Sequence, residues 1–332
     1  MANKLEDVLK KLNKGKAEQD QVKKVSEIET LNLDFSSSGS AYLDYYMDNK
    51  VIPLGAMTLL TGWEGSGKSS IALIIAKYLQ EKFPEKTVVV LDGEQTITDS
   101  HVERFGLDKN RLIVYKDSVL ENMLDTAEAF SQSEEVSGIV IDSIKSFYSV
   151  AIEAKSAEEF SIGVEAKKLG TRLPIINANC ARRGTALIVL NQWRENPGVM
   201  HGDSKVLPGG QFNKYMPFTH LDFTKKDLIR NEKKEVVGHK LDVRIRKSKA
   251  GAYDKKEVIT LNFYYDGGFN IVDEYAQIFC ETEIGKVGGA GWITFPDRFG
   301  EEKKVQGTDK FAEYLKANPE DFEFLKQQLN VG

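Results

Sequence analysis

Residues 62–69 read Gly-Trp-Glu-Gly-Ser-Gly-Lys-Ser and fit the pattern Gly-x-x-x-x-Gly-Lys-Ser/Thr at every fixed position. An apolar, β-prone run at 57–61 comes before them, and a run at 71–79 with apolar residues at helical spacing comes after. A strand, a glycine-rich turn and a helix, in this order, form the context in which the pattern binds phosphate. The N-terminus of the helix adds unpaired N–H groups and a partial positive charge. We therefore predict a nucleoside triphosphate site.

The residue types in this loop suit a phosphate ligand. Glycine lets backbone N–H groups turn inward without a Cβ in the way. The Lys68 ammonium can reach the β- and γ-phosphates, and the Ser69 hydroxyl can ligate Mg²⁺. The alternative is a glycine-rich turn that matches by chance, and the flanking strand and helix argue against it. The predicted nucleotide contacts are Gly62, Trp63, Glu64, Gly65, Ser66, Gly67, Lys68, Ser69 and Ser70.

The composition is that of an ordinary globular protein: of 332 residues, 41% are hydrophobic and 29% are charged. No apolar run reaches membrane-spanning length, so we expect a cytoplasmic protein without a membrane partner. Cys180 and Cys280 are the only cysteines, and they indicate neither a disulfide framework nor a zinc cluster. The net charge of −5 argues weakly against a nucleic-acid partner, although basic residues outnumber acidic ones over 225–256.

Apolar, β-prone runs alternate with helical patterns through the middle of the chain. Predicted strands cover 57–61, 87–92, 112–115, 138–142 and 186–191, and predicted helices cover 69–82, 98–105, 119–133 and 161–183. Continuous runs of Val, Ile and Leu are typical of parallel strands that are covered on both faces. The pattern predicts an α/β fold with a mostly parallel sheet.

The remaining regions extend or flank this sheet. Three β-rich runs after residue 219 indicate that antiparallel strands continue it, at 220–225, 239–247 and 257–264. Apolar residues at helical spacing near the start predict a short amphipathic helix, and helices are also predicted at 308–317 and 319–329. We predict an N-terminal arm at 1–34, a core at 35–271 and a small C-terminal domain at 272–332.

Three polar residues stand at the ends of predicted strands: Glu94, Asp142 and Gln192. Ligands of open α/β sheets bind at the carboxyl ends of the strands, so these side chains should face the phosphate-binding loop. Glu94 is a candidate to activate the water that attacks a γ-phosphate, and Asp142 to hold Mg²⁺. Gln192 is a candidate to hydrogen-bond the γ-phosphate or its water. The alternatives are an ordinary strand-end acid for Glu94 and a helix-capping acid for Asp142.

A long segment, 193–210, follows Gln192. A loop of this length in a compact domain is usually functional. Its glycines, prolines, basic residues and apolar residues suit a loop that lines a phosphate backbone and wedges between bases. The residues concerned are Arg194, Pro197, Gly198, Val199, Met200, His201, Gly202, Lys205, Pro208, Gly209 and Gly210.

Taken in order, these segments resemble the RecA family of homologous-recombination proteins, and the resemblance covers almost the whole chain. The matching segments are Gly-Ser-Ala-Tyr-Leu-Asp at 39–44, the loop at 62–69, Leu-Asp-Gly-Glu at 91–94, Val-Ile-Asp-Ser at 140–143, Asn-Gln at 191–192, Gly-Val-Met-His-Gly at 198–202, Gly-Gly at 209–210, Lys-Ser-Lys at 247–249, Gly-Trp-Ile at 291–293 and Tyr-Leu-Lys-Ala-Asn-Pro-Glu at 314–320. A P-loop alone indicates only an NTPase. The long loop, the Lys-Ser-Lys and the C-terminal segment together are specific to RecA-type recombinases.

The resemblance implies an architecture and an activity. It implies a RecA-type P-loop NTPase core, an N-terminal helical arm that packs on the adjacent subunit of a helical filament, and a small α+β C-terminal domain. The implied activity is ATP hydrolysis with Mg²⁺, coupled to DNA strand exchange in recombination and repair. The implied partners are single-stranded DNA, double-stranded DNA and further copies of this chain, with loader or mediator proteins as further candidates.

The resemblance also implies roles for individual residues. Segments 155–163 and 193–210 would be the two DNA-binding loops, and Lys247 and Lys249 would reach the ATP of a neighbouring subunit. The implied catalytic residues are Glu94, Lys68, Gln192, Lys247 and Lys249; the metal ligands are Ser69 and Asp142; His101, Asp142 and Tyr265 join the loop residues in nucleotide binding. The implied DNA contacts are Ile162, Gly163, Lys167, Arg194, Val199, Met200, His201, Gly209 and Gly210.

The chain departs from the family pattern at the base pocket and in the second loop. His101 stands where the family has a Tyr that stacks on adenine, and Thr98 replaces an Asp near the base. His201 replaces a Phe, and Pro197 replaces an apolar wedge residue. Two alternatives therefore stay open: a RecA-core motor of another kind, such as a ring helicase, and a DNA-binding ATPase without exchange activity.

Overall fold

The computed structural model describes residues 3–16, 21–24, 33–150, 163–195, 205–251 and 256–329. Its helices are α1 (Asn3–Asn13), α2 (Ala41–Tyr46), α3 (Lys68–Lys82), α4 (Asp99–Arg104), α5 (Leu120–Ser131), α6 (Val164–Arg183), α7 (Phe212–Tyr215), α8 (Ile271–Glu281), α9 (Thr308–Ala317) and α10 (Pro319–Leu329). Its strands are β1 (Phe35–Ser36), β2 (Ile52–Pro53), β3 (Met57–Gly62), β4 (Thr87–Asp92), β5 (Leu112–Lys116), β6 (Val136–Asp142), β7 (Ala186–Gln192), β8 (Arg194–Glu195), β9 (Lys205–Val206), β10 (Thr219–Arg230), β11 (Val236–Ser248), β12 (Val258–Tyr264), β13 (Gly268–Phe269), β14 (Lys286–Val287), β15 (Trp292–Pro296) and β16 (Glu302–Gln306).

A nine-stranded sheet forms the centre of the described chain, in the order β13-β12-β11-β10-β3-β7-β6-β4-β5. Neighbours from β10 through β5 are parallel, and neighbours from β10 through β13 are antiparallel. Every residue of β3, β6 and β7 is buried. Strands buried on both faces have continuous apolar sequences, which explains the runs of Val, Ile and Leu. The predicted α/β class with a mostly parallel sheet is confirmed.

The strand β10 enters the sheet beside the strand of the glycine-rich loop. It pairs in parallel with β3, from Thr219 opposite Thr58 to Phe223 opposite Gly62. The antiparallel part begins only with β11, whereas the sequence predicted that all the added strands would be antiparallel. A hairpin forces an antiparallel pair, but β10 follows α7 and a long connection, which permits the parallel direction.

Helices cover both faces of the sheet, so the core has two halves. Leu60 of β3 packs in the half that contains α3, and its neighbour Leu59 packs in the half that contains α5 and α6. The same alternation occurs in β4, where Val90 faces α3 and Leu91 faces the other side. The period of two along each strand therefore supplies apolar side chains to both layers of helices.

The C-terminal residues form a third apolar cluster. Phe279 of α8, Phe295 of β15 and Phe311 of α9 are each at most 1% exposed, and the Phe295 and Phe311 ring centroids lie 4.4 Å apart. Strands β14, β15 and β16 form a small antiparallel sheet beside these helices. The helices predicted at 308–317 and 319–329 coincide with α9 and α10. The predicted domain boundary between residues 271 and 272 stays a prediction.

The N-terminal helix α1 carries an exposed apolar stripe. Its Leu5, Val8 and Leu12 side chains are 59%, 50% and 48% exposed. A stripe of this kind is stabilised when another surface covers it.

A buried carboxylate joins α8 to the segment before α2. The Ser40 hydroxyl donates to Glu274 Oε1 at 2.9 Å, and the Tyr42 backbone N–H donates to Oε2 at 3.3 Å. Burial raises the pKa of Glu274 to about 8 from an ordinary value of 4.5, although these hydrogen bonds oppose the rise. A second buried carboxylate, Asp44, contributes to the same effect by its charge.

We expect Glu274 to make the stability of the protein depend on pH. The folded state keeps this proton up to about pH 8, whereas the unfolded state loses it near 4.5. The contribution is therefore fully present below 4.5 and is lost as pH rises through 8, by at most about 1.4 kcal/mol per unit. The substitution Glu274→Gln keeps the shape and should flatten this slope in urea unfolding at pH 5, 6.5 and 8.

The exposed Glu283 on the following turn provides the matched control. Glu283→Gln removes one carboxylate with the same change of charge but without burial, so it should leave the slope as in the unsubstituted protein. An unchanged slope in Glu274→Gln would contradict the protonation of this group in the folded state.

Candidate functional site

The glycine-rich loop at 62–69 connects β3 to α3, and Lys68 is the first residue of that helix. The Lys68 side chain is 5% exposed. Its ammonium donates to the Trp63 and Gly62 carbonyls at 2.9 and 3.3 Å, and to the Ser66 hydroxyl at 3.4 Å. Burial lowers the pKa of Lys68, and the nearby Asp142 and Glu94 carboxylates oppose this effect.

Glycines give the loop its shape. Gly65 and Gly67 have φ angles of 70° and 87°, in the left-handed region that L side chains rarely adopt. An added Cβ at Gly62 would lie 2.6 Å from the Phe223 carbonyl and 2.6 Å from Ser66 Oγ. The loop therefore needs glycine at 62 for space and at 65 and 67 for conformation.

Asp142 ends β6 beside this loop. Its side chain is 3% exposed, and the Ser69 hydroxyl is hydrogen-bonded to it. Burial raises the pKa of Asp142 to about 7; the Ser69 hydrogen bond and the Lys68 charge lower it, and the Glu94 and Asp92 charges raise it. The two side chains predicted as metal ligands thus lie next to each other.

Glu94 accepts hydrogen bonds from three side chains. Gln192 Nε2 donates to Glu94 Oε1 at 2.7 Å, Ser143 Oγ donates at 3.0 Å and Ser146 Oγ at 3.2 Å. Gln192 ends β7 and Ser143 follows β6, so neighbouring strands hold this carboxylate. The structure therefore brings together Glu94 and Gln192, which the sequence identified separately.

Lys145 belongs to the same network, and the sequence analysis did not identify it. Its ammonium donates to Gln192 Oε1 at 3.0 Å and lies 3.9 Å from a Glu64 carboxylate oxygen. Lys145 lies in a single 3₁₀ turn, Ile144–Ser146, immediately after β6. The only local signal is its position three residues after the strand-end Asp142. Glu64, Lys145, Gln192 and Glu94 form a continuous polar chain from the loop to the end of β7.

The segment after Gln192 is anchored at both ends. Strands β8 and β9 pair with each other, with Arg194 opposite Val206. The Asn191 side-chain amide donates to the Pro208 carbonyl at 2.9 Å and to Asn213 Oδ1 at 3.0 Å. Because Asn191 is the neighbour of Gln192 in β7, the end of the segment is held directly to the strand that carries Gln192.

The end of the second predicted DNA-binding loop lies against α6, the helix that follows the first predicted loop. An added Cβ at Gly210 would lie 3.0 Å from Cβ of Ala166, and one at Gly209 would lie 3.1 Å from Leu169. Both neighbours belong to α6, which begins after Gly163, and Lys167 is exposed on the same helix. Arg194 is exposed and lies 3.5 Å from the Lys145 carbonyl. The predicted contacts outside the described residues are Ile162, Val199, Met200 and His201.

Lys247 and Lys249 lie near the amino end of β3, at the end of this strand that is opposite the glycine-rich loop. The Lys249 backbone N–H donates to the Phe218 carbonyl, and the Phe218 N–H donates to the Met57 carbonyl at the start of β3. Lys247 Nζ donates to the backbone carbonyls of Lys214 and Tyr215 at 3.0 and 3.2 Å. The Lys247 side chain is therefore directed toward α7, and the Lys249 backbone lies level with the start of β3.

His101 and Tyr265 follow strands on opposite sides of β3. His101 caps the start of α4, where its Nδ1 accepts from the Thr98 backbone N–H at 3.2 Å. The Tyr265 ring is 37% exposed and packs against His239, with centroids 5.6 Å apart. Their predicted role in base binding stays a prediction.

The residues of the loop fit a phosphate group with a divalent cation. In the part of the chain that the structure describes, the buried Lys68 ammonium is hydrogen-bonded to carbonyl and hydroxyl oxygens, so its charge has no hydrogen-bonded anion. An added Cβ at Gly65 or Gly67 would meet no atom within 4 Å, so space is open at the start of α3. Asp142 and Ser69 offer the oxygen ligands that Mg²⁺ takes beside phosphate.

The described residues contain neither a cluster of metal-ligating side chains nor a membrane-spanning helix. Over residues 3–329, apart from the gaps stated above, no group of three or more His, Cys, Asp and Glu side chains is placed to hold a metal ion by itself. Within the same residues no helix has the length and apolar character that a membrane span requires.

The strand, loop and helix with buried Lys68 and Asp142 define a P-loop α/β protein. The family model described as the RecA N-terminal domain matches residues 3–270. The chain belongs to this family.

Proteins with the name Protein RecA match nearly the full chain. The one from Thermus aquaticus is 28% identical over 331 residues, covering 99% of this chain and 93% of its own. The one from Clostridium botulinum (strain Eklund 17B / Type B) is 28% identical, covering 96% and 85%. The one from Malacoplasma penetrans is 27% identical, covering 91% and 89%.

Proposed function

We propose that this protein is an ATP-dependent DNA recombinase that forms helical filaments on single-stranded DNA and catalyses strand exchange in recombination and repair. The observation that carries the proposal is the hydrogen bond from Gln192 to Glu94, together with the attachment of the segment 193–210 to the end of β7. It joins a hydrolytic carboxylate to a loop of the kind that binds DNA. Membership of the RecA N-terminal domain family supports the same reading.

The nucleotide half of the proposal rests on the loop at 62–69. Lys68 and the N-terminus of α3 would hold the phosphates, and Ser69 and Asp142 would hold Mg²⁺. The bound ion supplies electrostatic stabilisation of the phosphate oxygens during transfer. The raised pKa of Asp142 and the lowered pKa of Lys68 both arise from burial. An anion and a cation bound here would relieve both costs.

Glu94 is the proposed general base. Among the described residues, the three donors Gln192, Ser143 and Ser146 all bind Oε1, so Oε2 is the oxygen that would orient a water molecule. Gln192 would bind either Glu94 or the γ-phosphate, so nucleotide binding would change the contacts at the start of the loop. This exchange gives a physical link between the two halves of the site.

The substitution Glu94→Gln should therefore leave ATP and DNA binding within about twofold and reduce hydrolysis by about 10²-fold or more, because the amide cannot accept the proton. The measurement is phosphate release with and without single-stranded DNA, beside nucleotide binding by titration. The control Glu103→Gln, on α4 and paired with Lys109 at the surface, should hydrolyse ATP normally. Hydrolysis at the unsubstituted rate in Glu94→Gln would remove Glu94 from this role.

Lys247 and Lys249 are proposed to act on the nucleotide of a neighbouring subunit. Lys249 is level with Met57 at the start of β3. Gly62, the first residue of the loop, is five residues further along this strand, a distance of roughly 16 Å at the rise of a strand. A second copy of the chain would bring its own Lys247 and Lys249 to the glycine-rich loop of the first copy without a change of fold. Two positive charges beside the phosphates would stabilise the transition state as an arginine finger does.

Mixing of two variants tests this arrangement. Lys247→Ala lacks the lysine but keeps its own loop, and Lys68→Ala lacks the loop lysine but keeps Lys247. Each alone should hydrolyse ATP at least about tenfold more slowly than the unsubstituted protein. Mixed filaments should regain activity, with a maximum at intermediate ratios, because some interfaces then combine an intact loop with an intact Lys247. Absence of rescue at every ratio would argue against a shared site.

The proposal as a whole is tested by fluorescence-monitored strand exchange between homologous oligonucleotides, with and without ATP. We expect ATP-dependent exchange that Lys68→Ala abolishes, because loss of the ammonium removes phosphate binding. DNA-stimulated ATP hydrolysis without exchange would contradict the recombinase proposal. Electron micrographs would then distinguish open filaments from the closed rings of another RecA-core motor.

A further inference from the structure

Asp222 lies at a junction between strands next to the glycine-rich loop, and it is 7% exposed. Its Oδ1 accepts hydrogen bonds from the Thr61 hydroxyl at 2.9 Å and from the Trp193 indole N–H at 2.6 Å. Its Oδ2 accepts a hydrogen bond from Arg246 Nε at 2.8 Å, and Arg246 Nη2 lies 2.6 Å from the same oxygen as an ion pair. One carboxylate therefore connects β3, the residue after β7, and β11.

Trp193 is held on several sides at this junction. The Arg246 guanidinium carbon lies 5.1 Å from the centroid of the indole ring, at cation–π distance. The Trp193 backbone N–H donates to the Gly62 carbonyl at 3.3 Å. The first residue of the segment 193–210 is thus fixed to the first residue of the glycine-rich loop and to β11. We call Trp193, Asp222 and Arg246 the Asp222 clamp.

The hydrogen bonds around the clamp have a defined direction. Thr61 Oγ1 lies 2.9 Å from His220 Nε2 and 2.9 Å from Asp222 Oδ1. A carboxylate accepts only, so the Thr61 hydroxyl donates to Asp222 and accepts from His220. Burial lowers the pKa of His220 to about 4, so its ring is neutral near pH 7 and can donate through Nε2. The Thr61 hydroxyl and the His220 Nε2–H therefore each have an acceptor.

The clamp reaches the strand that carries the lysines. Arg246 is the residue before Lys247 in β11. If Trp193 moves away from Asp222, a buried carboxylate loses a donor, which is unfavourable, and Arg246 loses its cation–π contact with the indole ring. If Asp222 follows Trp193 instead, Arg246 is pulled with it, because its Nε–H donates to Oδ2 and its guanidinium forms an ion pair with the same carboxylate. Either way, a displacement at the start of the segment changes the position or the freedom of Arg246.

We propose that Asp222 and Arg246 are positioning residues that couple DNA binding by the segment 193–210 to the alignment of Lys247 and Lys249. This inference rests on the proposed function, in which the segment binds DNA and the lysines act on a neighbour's nucleotide. Through the clamp, DNA binding by the loop of one subunit changes the alignment of the lysines that act on the nucleotide of the next subunit. It is distinct from the link through Gln192, which acts within one subunit.

The test compares Arg246→Gln with Arg244→Gln. Arg244 lies two residues earlier in β11 and pairs with Glu257 at the surface, so it controls for loss of a charge from this strand. The probe is fluorescein-labelled oligo(dT), titrated without nucleotide and with a non-hydrolysable ATP analogue. In the unsubstituted protein and in Arg244→Gln, the analogue should tighten DNA binding by the same factor. In Arg246→Gln that factor should fall about five- to tenfold, within the range of ordinary coupling.

A purely structural role predicts a different result. Loss of fold would weaken DNA binding with and without the analogue alike, whereas loss of coupling leaves the nucleotide-free affinity within about twofold. By reciprocity, oligo(dT) should tighten binding of the ATP analogue in the unsubstituted protein, and in Arg246→Gln this tightening should fall by the same factor. Trp193→Phe removes the indole N–H, and combining it with Arg246→Gln should lower the factor no further than Arg246→Gln alone, because residues that act as a unit are not additive.

The outcomes separate the clamp from the proposed function. An unchanged factor in Arg246→Gln, or equal weakening under both conditions, would overturn the clamp and leave the proposed function intact. An unsubstituted protein whose DNA binding ignores the analogue would overturn both.

Discussion

The polar side chains at the strand ends of the candidate site depend on the register of the parallel strands. Gly62 is opposite Gln192 in the β3–β7 ladder, and Asp92 is opposite Asp142 in the β4–β6 ladder. Because side chains alternate between the two faces of a sheet, a shift of one residue would send each of them to the other face. The continuous apolar strands resist such a shift, since two cores on opposite faces must both be filled. The buried sheet therefore determines the geometry of the polar edge.

Much of the polar edge at the strand ends could be predicted from the sequence, because the sequence patterns that mark it are local. The glycine-rich loop and the strand-end residues Asp142 and Gln192 follow directly from patterns of a few residues. Lys145 has no such signal, since a single 3₁₀ turn places it. The Asp222 clamp joins residues 24 and 29 positions apart, through contacts that no periodicity encodes. The parallel entry of β10 was missed for the related reason that strand direction depends on the path of the preceding chain.

Asp222 and the pair Lys68 and Asp142 are buried in two different electrostatic environments. Asp222 is surrounded by donors, including a guanidinium, and its charge is satisfied within the chain. Lys68 and Asp142 are buried without full compensation, so burial shifts the pKa of each away from its ordinary value. An uncompensated pair of opposite charges beside a helix N-terminus is unfavourable in isolation and is relieved by a ligand that brings both signs. Unlike Glu274, whose raised pKa accompanies a structural contact, Lys68 and Asp142 lie beside a helix N-terminus with open space for a ligand.

The contact between Ser40 and Glu274 also has a consequence for synthesis. The two residues are 234 positions apart, and the Ser40 hydroxyl, which caps α2, donates to a carboxylate of α8. A chain that leaves the ribosome from its N-terminus cannot make this contact until α8 has emerged. The surface around α2 that α8 covers therefore stays solvated while the parallel strands β3 to β7 are synthesised. Docking of α8 is a late step, and a nascent chain stalled before residue 274 would expose that surface to chaperones.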